Sequence, residues 1–213
     1  RRKLAILANA AFGARLSDEV MIPAEGISAI TSEDIECARA FGMRVKLIAH
    51  ARLVGEGWHG WVHPAAVAPS SPLYGVARAF NAILLAGDFI GQAMFYGPGA
   101  GSYPTASAVV GDVIDVAQHL DAAKPRIERA SAPAFRPPQD GEPMRLLTSA
   151  LTAGGNREAI ARALPGAEMR DVGALTALLT PPLPLNDAIG RLNELSGRGV
   201  KFGSVLYVTD ENA

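Results

Sequence analysis

The sequence of 213 residues has little cysteine and no long apolar segment, and each shortage excludes a class of protein. The one cysteine, Cys37, excludes an internal disulfide framework and a cysteine-rich zinc site. No apolar run reaches the roughly 18–20 residues that a membrane-spanning helix needs, and the start does not read as a signal peptide. The formal net charge of -1 gives no long-range attraction to nucleic acid or anionic membranes. We therefore expect a soluble cytoplasmic protein without nucleic-acid or membrane partners.

What remains is an ordinary globular composition, with 49% hydrophobic and 19% charged residues. Apolar side chains almost all round residues 2–14 predict a buried helix that ends near Gly13. Thr31 before an acidic turn predicts the start of a second helix, whose buried face holds Ile35, Ala38 and Phe41.

The pattern then changes to strands. Residues 43–53 and 57–64 predict two strands, the second broken at Gly60 and ended by Pro64. Residues 77–88 and 89–97 predict two more strands joined by a hairpin-like turn near Gly87. A helix follows, with Pro104 in its first turn.

The chain divides into three parts by composition. Residues 1–120 form an α/β unit, and residues 121–143, with five prolines and little periodicity, are predicted to be a linker. Residues 144–213 carry a strand-helix-strand-strand-helix-strand order, which is the ferredoxin-like βαββαβ pattern. The fold class predicted is α/β (α+β), with a mixed sheet and helices followed by this smaller domain.

A glycine-rich turn at Gly97, Gly99 and Gly101 lies between a predicted strand and a predicted helix. Glycines at such a turn permit positive φ and a close approach to a ligand, and the helix N-terminus offers N–H groups to an anion. The turn has an equally good structural interpretation, and its spacing is not that of a dinucleotide fingerprint.

Lys3 is the other candidate, because it precedes the apolar run Leu4 to Ala8. It is either a terminal charge that reaches solvent or a lysine partly desolvated in a cleft, where it could transfer a proton. His59 and His63 are four residues apart, but no third ligand is evident, and we predict no metal site.

Three stretches together make the chain resemble the homoserine dehydrogenases: "RRKLAILA" at the start, "EGISAITSEDIECARAFGMRVKLIA" at residues 25–49, and residues 63–117, which include "GPGAGSYPTASAVV". The resemblance runs from Arg1 to about Leu120. It implies NAD(P)-dependent interconversion of L-homoserine and L-aspartate 4-semialdehyde, on the route to threonine, methionine and isoleucine. By the same resemblance Lys3 moves the proton at the substrate oxygen, and Gly101 contacts the cofactor.

The chain also departs from the family pattern. The family's Rossmann domain, and an acidic substrate-site residue four positions before the lysine, would precede Arg1, so we expect the fragment alone to be inactive. Residues 144–213 stand where many members carry an ACT regulatory domain, but the loop "TSALTAGGNREAI" lacks the usual Asp-x-Pro-Gly effector turn.

The resemblance leaves two other functions open. One is a non-catalytic regulatory and dimerisation module that binds an amino-acid effector, and the other is a dehydrogenase of another small aldehyde. In either case a homodimer or tetramer is expected.

Overall fold

The structure, a computed structural model, describes residues 1–120, 132–136, 143–151 and 156–209. The chain forms two compact units, which we call the first unit (Arg1–Pro69 with Arg129–Ala213) and the second unit (Ser70–Glu128). Most of the predicted linker, residues 121–143, lies outside the described residues, so the predicted domain boundaries stay a prediction. None of the described helices is long and apolar enough to cross a membrane.

The described residues form helices and strands over the following bounds. The helices are α1 (Arg2–Phe12), α2 (Ser32–Ala40), α3 (Ser102–Gln118), α4 (Asn156–Ala163) and α5 (Leu185–Gly197). The strands are β1 (Arg44–Val54), β2 (Gly57–Val67), β3 (Phe80–Gly87), β4 (Gly91–Pro98), β5 (Ala134–Phe135), β6 (Pro143–Met144), β7 (Leu146–Leu151), β8 (Glu168–Val172), β9 (Leu175–Leu179), β10 (Leu183–Pro184) and β11 (Leu206–Thr209).

The first unit is built on one mixed sheet with the strand order β1-β2-β11-β7-β9-β8, and β5 also pairs with β2. β1 and β2 are antiparallel along their whole length, whereas β11 runs parallel to β2, with Tyr207 opposite Ala65. The sequence order strand-helix-strand-strand-helix-strand predicted for the C-terminal residues is confirmed by β7, α4, β8, β9, α5 and β11. The mixed α/β fold class is therefore confirmed.

The predicted break at Gly60 and end at Pro64 are wrong, because β2 continues through both residues to Val67. The reason lies in which way the N–H groups point. The Val62 N–H donates to the Pro23 carbonyl and the Ala68 N–H donates to the Thr209 carbonyl, so every second N–H of β2 points away from β1. Pro64 lies between Val62 and Ala68. At Pro64 the edge of β2 that faces away from β1 has no backbone partner, because the bridge to Ala24 is at Val62 and the pairing with β11 starts at Ala65. The missing N–H of Pro64 therefore costs no hydrogen bond between strands.

α1 ends and α2 begins as predicted, but the buried faces of both helices differ from the prediction. α1 ends at Gly13, which is left-handed at φ 71° and ψ 24°. Thr31 and Asp34 form a reciprocal capping box at the start of α2. Neither helix is buried all round: Ile6 is 58% exposed and Ile35 is 42% exposed. In α1 the buried side chains are spaced by the helical period, from Leu4 to Ala8. In α2 the buried face includes Cys37 and Ala38.

The second unit contains the hairpin β3–β4 and the helix α3. The hairpin has the predicted turn, with Gly87 opposite Gly91. None of the residues of α3 is buried.

Candidate functional site

Lys3 lies in the first turn of α1, at the mouth of a cavity of about 460 Å³ in the first unit. We call it the Lys3 cavity. Because apolar side chains of β1 and β2 line it beside the charges of α1, a ligand there would meet an apolar surface on one side and cations on the other. Its lining residues are Arg1, Arg2, Lys3, Leu4, Glu19, Leu47, Ala49 and Val62.

The charges of the Lys3 cavity are strongly unequal. Arg1, Arg2 and Lys3 face the one carboxylate of Glu19, which is 3.4 Å from Arg2 Nε. The N-terminus of α1 adds the positive end of the helix dipole. Among the described residues the Lys3 ammonium has no ion-pair partner. The cavity therefore attracts anions, and Lys3 is free to contact one.

The position of Lys3 is fixed by the residue that follows it. Leu4 is 4% exposed and packs in a core with Ala8 and Trp58. This core lies against Gly60 of β2, where an added Cβ would be 2.6 Å from the His50 carbonyl oxygen and 3.4 Å from Leu4 Cδ2. Only glycine allows the helix and the sheet to approach so closely. α1 therefore holds Lys3 on a rigid base.

Trp58 packs in the same core as the buried face of α1. Its indole is fully buried, its Nε1 donates to Asp18 Oδ2 at 3.3 Å, and its ring meets Phe135 edge to face at 4.9 Å. This tryptophan therefore packs in the core of the first unit. The Asp18 carboxylate is buried and satisfies the indole donor, so it is structural.

Gly101 lies in the second unit, as the residue before the first turn of α3. Its φ of 120° and ψ of 156° are a conformation that favours glycine. α3 has neither a side-chain cap nor an acidic residue in its first turn, so its N-terminal N–H groups can donate hydrogen bonds to an anionic ligand.

Gly99 approaches another backbone segment rather than a ligand. A Cβ there would be 2.4 Å from Asn81 Cγ, and its N–H donates to the Ala79 carbonyl at 2.8 Å. This glycine therefore holds the turn against β3. The structural interpretation of the glycine-rich turn therefore applies to Gly99, and the ligand-binding interpretation of Gly101 stays a prediction.

No sequence pattern indicates a second polar cluster, which is centred on His63. The His63 Nε2 atom is 2.6 Å from Glu25 Oε2, and the imidazole stacks on the Tyr207 ring at 4.1 Å. A parallel bridge between Ala24 and Val62 brings Glu25 beside β2, which no local pattern indicates. Burial raises the pKa of Tyr207, and the charge of Glu25 raises it further.

We interpret His59 and His63 as structural residues. His59 is 5% exposed, and the described residues contain no group of three or more histidine, cysteine or acidic side chains that could hold a metal ion. Cys37 is buried in α2, and burial raises the pKa of its thiol, which makes the thiolate rare.

Comparison with known proteins points to one family. The family model described as Homoserine dehydrogenase matches residues 1–114. The homoserine dehydrogenase of Neisseria gonorrhoeae is 38% identical over 137 residues, which are 64% of this chain and 31% of that protein. The homoserine dehydrogenase of Corynebacterium glutamicum is 44% identical over 123 residues, which are 55% of this chain and 27% of that protein.

Solved structures agree over nearly the whole chain. The crystal structure of a homoserine dehydrogenase from Thiobacillus denitrificans has a TM-score of 0.79 and 29% identity, and the match covers 98% of this chain and 52% of that one. A homoserine dehydrogenase of S. aureus has a TM-score of 0.71 at 25% identity. The chain thus spans about a third or less of the curated relatives it matches and about half of these solved chains.

Proposed function

The chain belongs to the homoserine dehydrogenase family, and we propose that it is the substrate-side and C-terminal part of an enzyme that interconverts L-homoserine and L-aspartate 4-semialdehyde with NAD(P). The observation that carries the proposal is the Lys3 cavity, where a lysine with no ion-pair partner among the described residues lies beside apolar side chains of β1 and β2.

Lys3 acts in this proposal on the oxygen of the substrate. When the semialdehyde is reduced, the ammonium gives a proton to the carbonyl oxygen, and when homoserine is oxidised the amine takes the hydroxyl proton back. Arg1 and Arg2 supply positive charge for the substrate carboxylate. Leu47, Ala49 and Val62 offer an apolar surface to the rest of the substrate.

The N-terminus of α3, in the second unit, is chemically suited to bind the cofactor. A nicotinamide dinucleotide carries an anionic pyrophosphate, and the first turn of α3 offers N–H groups without a competing carboxylate. Gly101 has no side chain to obstruct the approach. When bound, the cofactor supplies or accepts the hydride.

The test of this function is substitution of Lys3 in the full-length gene product, with homoserine oxidation followed by nicotinamide absorbance. Lys3→Met removes both charge and proton transfer, and we expect kcat to fall about 10²–10⁴-fold. Lys3→Arg keeps the charge but cannot give up its proton at neutral pH, so we expect a similar loss. Lys46→Met, a lysine of β1 outside the cavity, is the matched control. Full activity of both Lys3 variants would contradict the proposal.

The exposed apolar side chains of the second unit support a proposal of self-association. The hairpin β3–β4 exposes apolar side chains on both faces: Phe80, Tyr96 and Met94 on one, Ile83 and Phe95 on the other. An isolated two-stranded ribbon is marginally stable in water, and exposed apolar surface of this kind marks an interface. We propose that a second copy of the protein covers one face.

Sedimentation of the full-length protein tests this. Phe95→Glu places a charge on a side chain that is 66% exposed in the single chain, and we expect the dimer to dissociate at least tenfold more readily. Val20→Glu, at a residue 80% exposed in the first unit, is the control and should leave the assembly unchanged. A Phe95→Glu protein with the association constant of the parent would refute the interface.

A further inference from the structure

Glu19 differs in charge from every other residue that lines the Lys3 cavity. Of the eight lining residues, three are cations, four are apolar and Glu19 is the single anion. A cavity that binds only a negatively charged group gains nothing from a fixed carboxylate, because like charges repel. The dehydrogenase function proposed above uses all three cations but gives Glu19 no part.

The core beneath α1 also fixes the position of Glu19. The residue lies in a short 3₁₀ helix, Leu16–Met21, which packs against α1. Asp18, the residue before Glu19, accepts the indole N–H of Trp58. Ile22, at the end of the 3₁₀ helix, is 1% exposed in the same core, and its N–H donates to the Glu19 carbonyl at 3.3 Å. Because the backbone is anchored on both sides of Glu19, its carboxylate is held at the cavity.

The Glu19 carboxylate has unused hydrogen-bonding capacity. Among the described residues its partner is Arg2, whose Nε donates to Oε1 at 3.4 Å. This ion pair is weak, because the contact is long and the Arg2 side chain is 88% exposed to competing water. Oε2 accepts no hydrogen bond from the described part of the chain, although a carboxylate can accept several. Glu19 can therefore accept a donor from a ligand without losing Arg2.

The arrangement of Arg2 beside Glu19 is complementary to one class of ligand. An α-amino acid carries its ammonium and its carboxylate on the same carbon atom, so its site needs an anion and a cation next to each other. Arg2 and Glu19 meet this requirement, and Lys3 follows Arg2 in the first turn of α1. An acid without the ammonium would bring no positive charge to face Glu19.

We propose that Glu19 binds the α-ammonium of the substrate and so makes the Lys3 cavity selective for α-amino acids. This assignment rests on the dehydrogenase function proposed above. The ammonium donates to Glu19 Oε2, the α-carboxylate pairs with Arg2, and the other end of the molecule brings the reacting oxygen to Lys3. Because Glu19 touches the substrate away from the reacting carbon, its contact is the same in the substrate and in the transition state. Glu19 therefore acts on binding and not on the chemical step.

Steady-state kinetics of the full-length protein test the proposal with Glu19→Gln, which keeps the size of the side chain and removes its charge. We expect KM for L-homoserine to rise about tenfold or more while kcat changes less than about threefold, as for the loss of a uniform binding contact. An unchanged KM would overturn the proposal.

The second probe is 4-hydroxybutanoate, which is L-homoserine without its ammonium, used as a competitive inhibitor. Its inhibition constant should be unchanged or lower in Glu19→Gln, because this molecule has no positive charge that Glu19 could bind. If the variant binds L-homoserine and 4-hydroxybutanoate more weakly by the same factor, Glu19 supports only the shape of the cavity and the proposal is overturned.

Two further variants serve as controls. Glu194→Gln makes the same charge change at an exposed residue of α5 that does not line the cavity, and it should leave KM and the inhibition constant as in the parent. A rise in KM as large as that of Glu19→Gln would overturn the assignment to Glu19. Glu19→Asp keeps the charge on a shorter side chain and should recover part of the lost affinity.

Titration calorimetry with L-homoserine separates this inference from the dehydrogenase function. We expect Glu19→Gln to bind L-homoserine about tenfold more weakly than the parent does, whereas Lys3→Met lowers turnover. A parent protein that binds L-homoserine but does not oxidise it with NAD(P) would contradict the dehydrogenase function. Equal affinity of the parent and Glu19→Gln, with normal turnover in both, would overturn the role of Glu19 alone.

Discussion

Replacing Gly60 by alanine introduces a methyl group where β2 and α1 meet. The new Cβ would lie 2.6 Å from the His50 carbonyl oxygen, 3.1 Å from Trp58 Cζ3 and 3.4 Å from Leu4 Cδ2. The carbonyl belongs to the paired backbone of β1 and cannot rotate away, so the strain must shift the strands or the helix. Overpacking of this kind costs about 1–3 kcal/mol, and the lower entropy of the unfolded chain returns about 0.4–1 kcal/mol. We expect a net loss of about 1–2 kcal/mol, which corresponds to a fall in Tm of roughly 2–8 °C.

Thermal unfolding by circular dichroism measures this loss, with Gly26→Ala as the matched control. Gly26 has nothing within 4 Å of its added Cβ, so its variant should be as stable as the parent or slightly more stable. Because Leu4 adjoins Lys3, we also expect Gly60→Ala to lower kcat in the full-length protein more than it changes KM. If Gly60→Ala melts at or above the temperature of the parent, the close contact between α1 and β2 is not as described.

Two other substitutions test the energetics of the first unit. Thr31→Ala removes the side chain that caps α2 and should lower the free energy of unfolding by about 1 kcal/mol, measured in urea, whereas Ser32→Ala beside it should have a much smaller effect. Burial and then the charge of Glu25 raise the pKa of Tyr207 above its ordinary value of 10.0. Its neutral form therefore contributes stability that is complete below that value and is lost as the pH rises through the folded pKa. Tyr207→Phe should flatten the decline of stability in alkaline urea titrations, and an unchanged pH profile would contradict this assignment.

Local patterns predict the elements of this chain well, because each depends on a few neighbouring residues. The capping residues at Thr31 and the glycine at position 13 fix the helix ends, and the hairpin turn beyond Gly87 follows from its own residues. Pro64 is the instructive failure. A proline ends a strand only where its N–H would have been used, and whether it is used depends on partners that are distant in sequence, Pro23 and Thr209.

The pairing of β2 with β11 also depends on partners that are distant in sequence, and it has a larger consequence for the fold. The sequence divides into an N-terminal and a C-terminal module, yet the residues from Ala65 to Val67 pair in parallel with Tyr207 to Thr209 across some 140 positions. Such a contact leaves no trace in composition or periodicity, because each strand is buried and apolar whichever neighbour it takes. The Lys3 cavity depends on this sheet, because residues of β1 and β2 line it. Lys3 could be found from the sequence through a motif, whereas Glu25, His63 and Tyr207 come together only through the folded sheet.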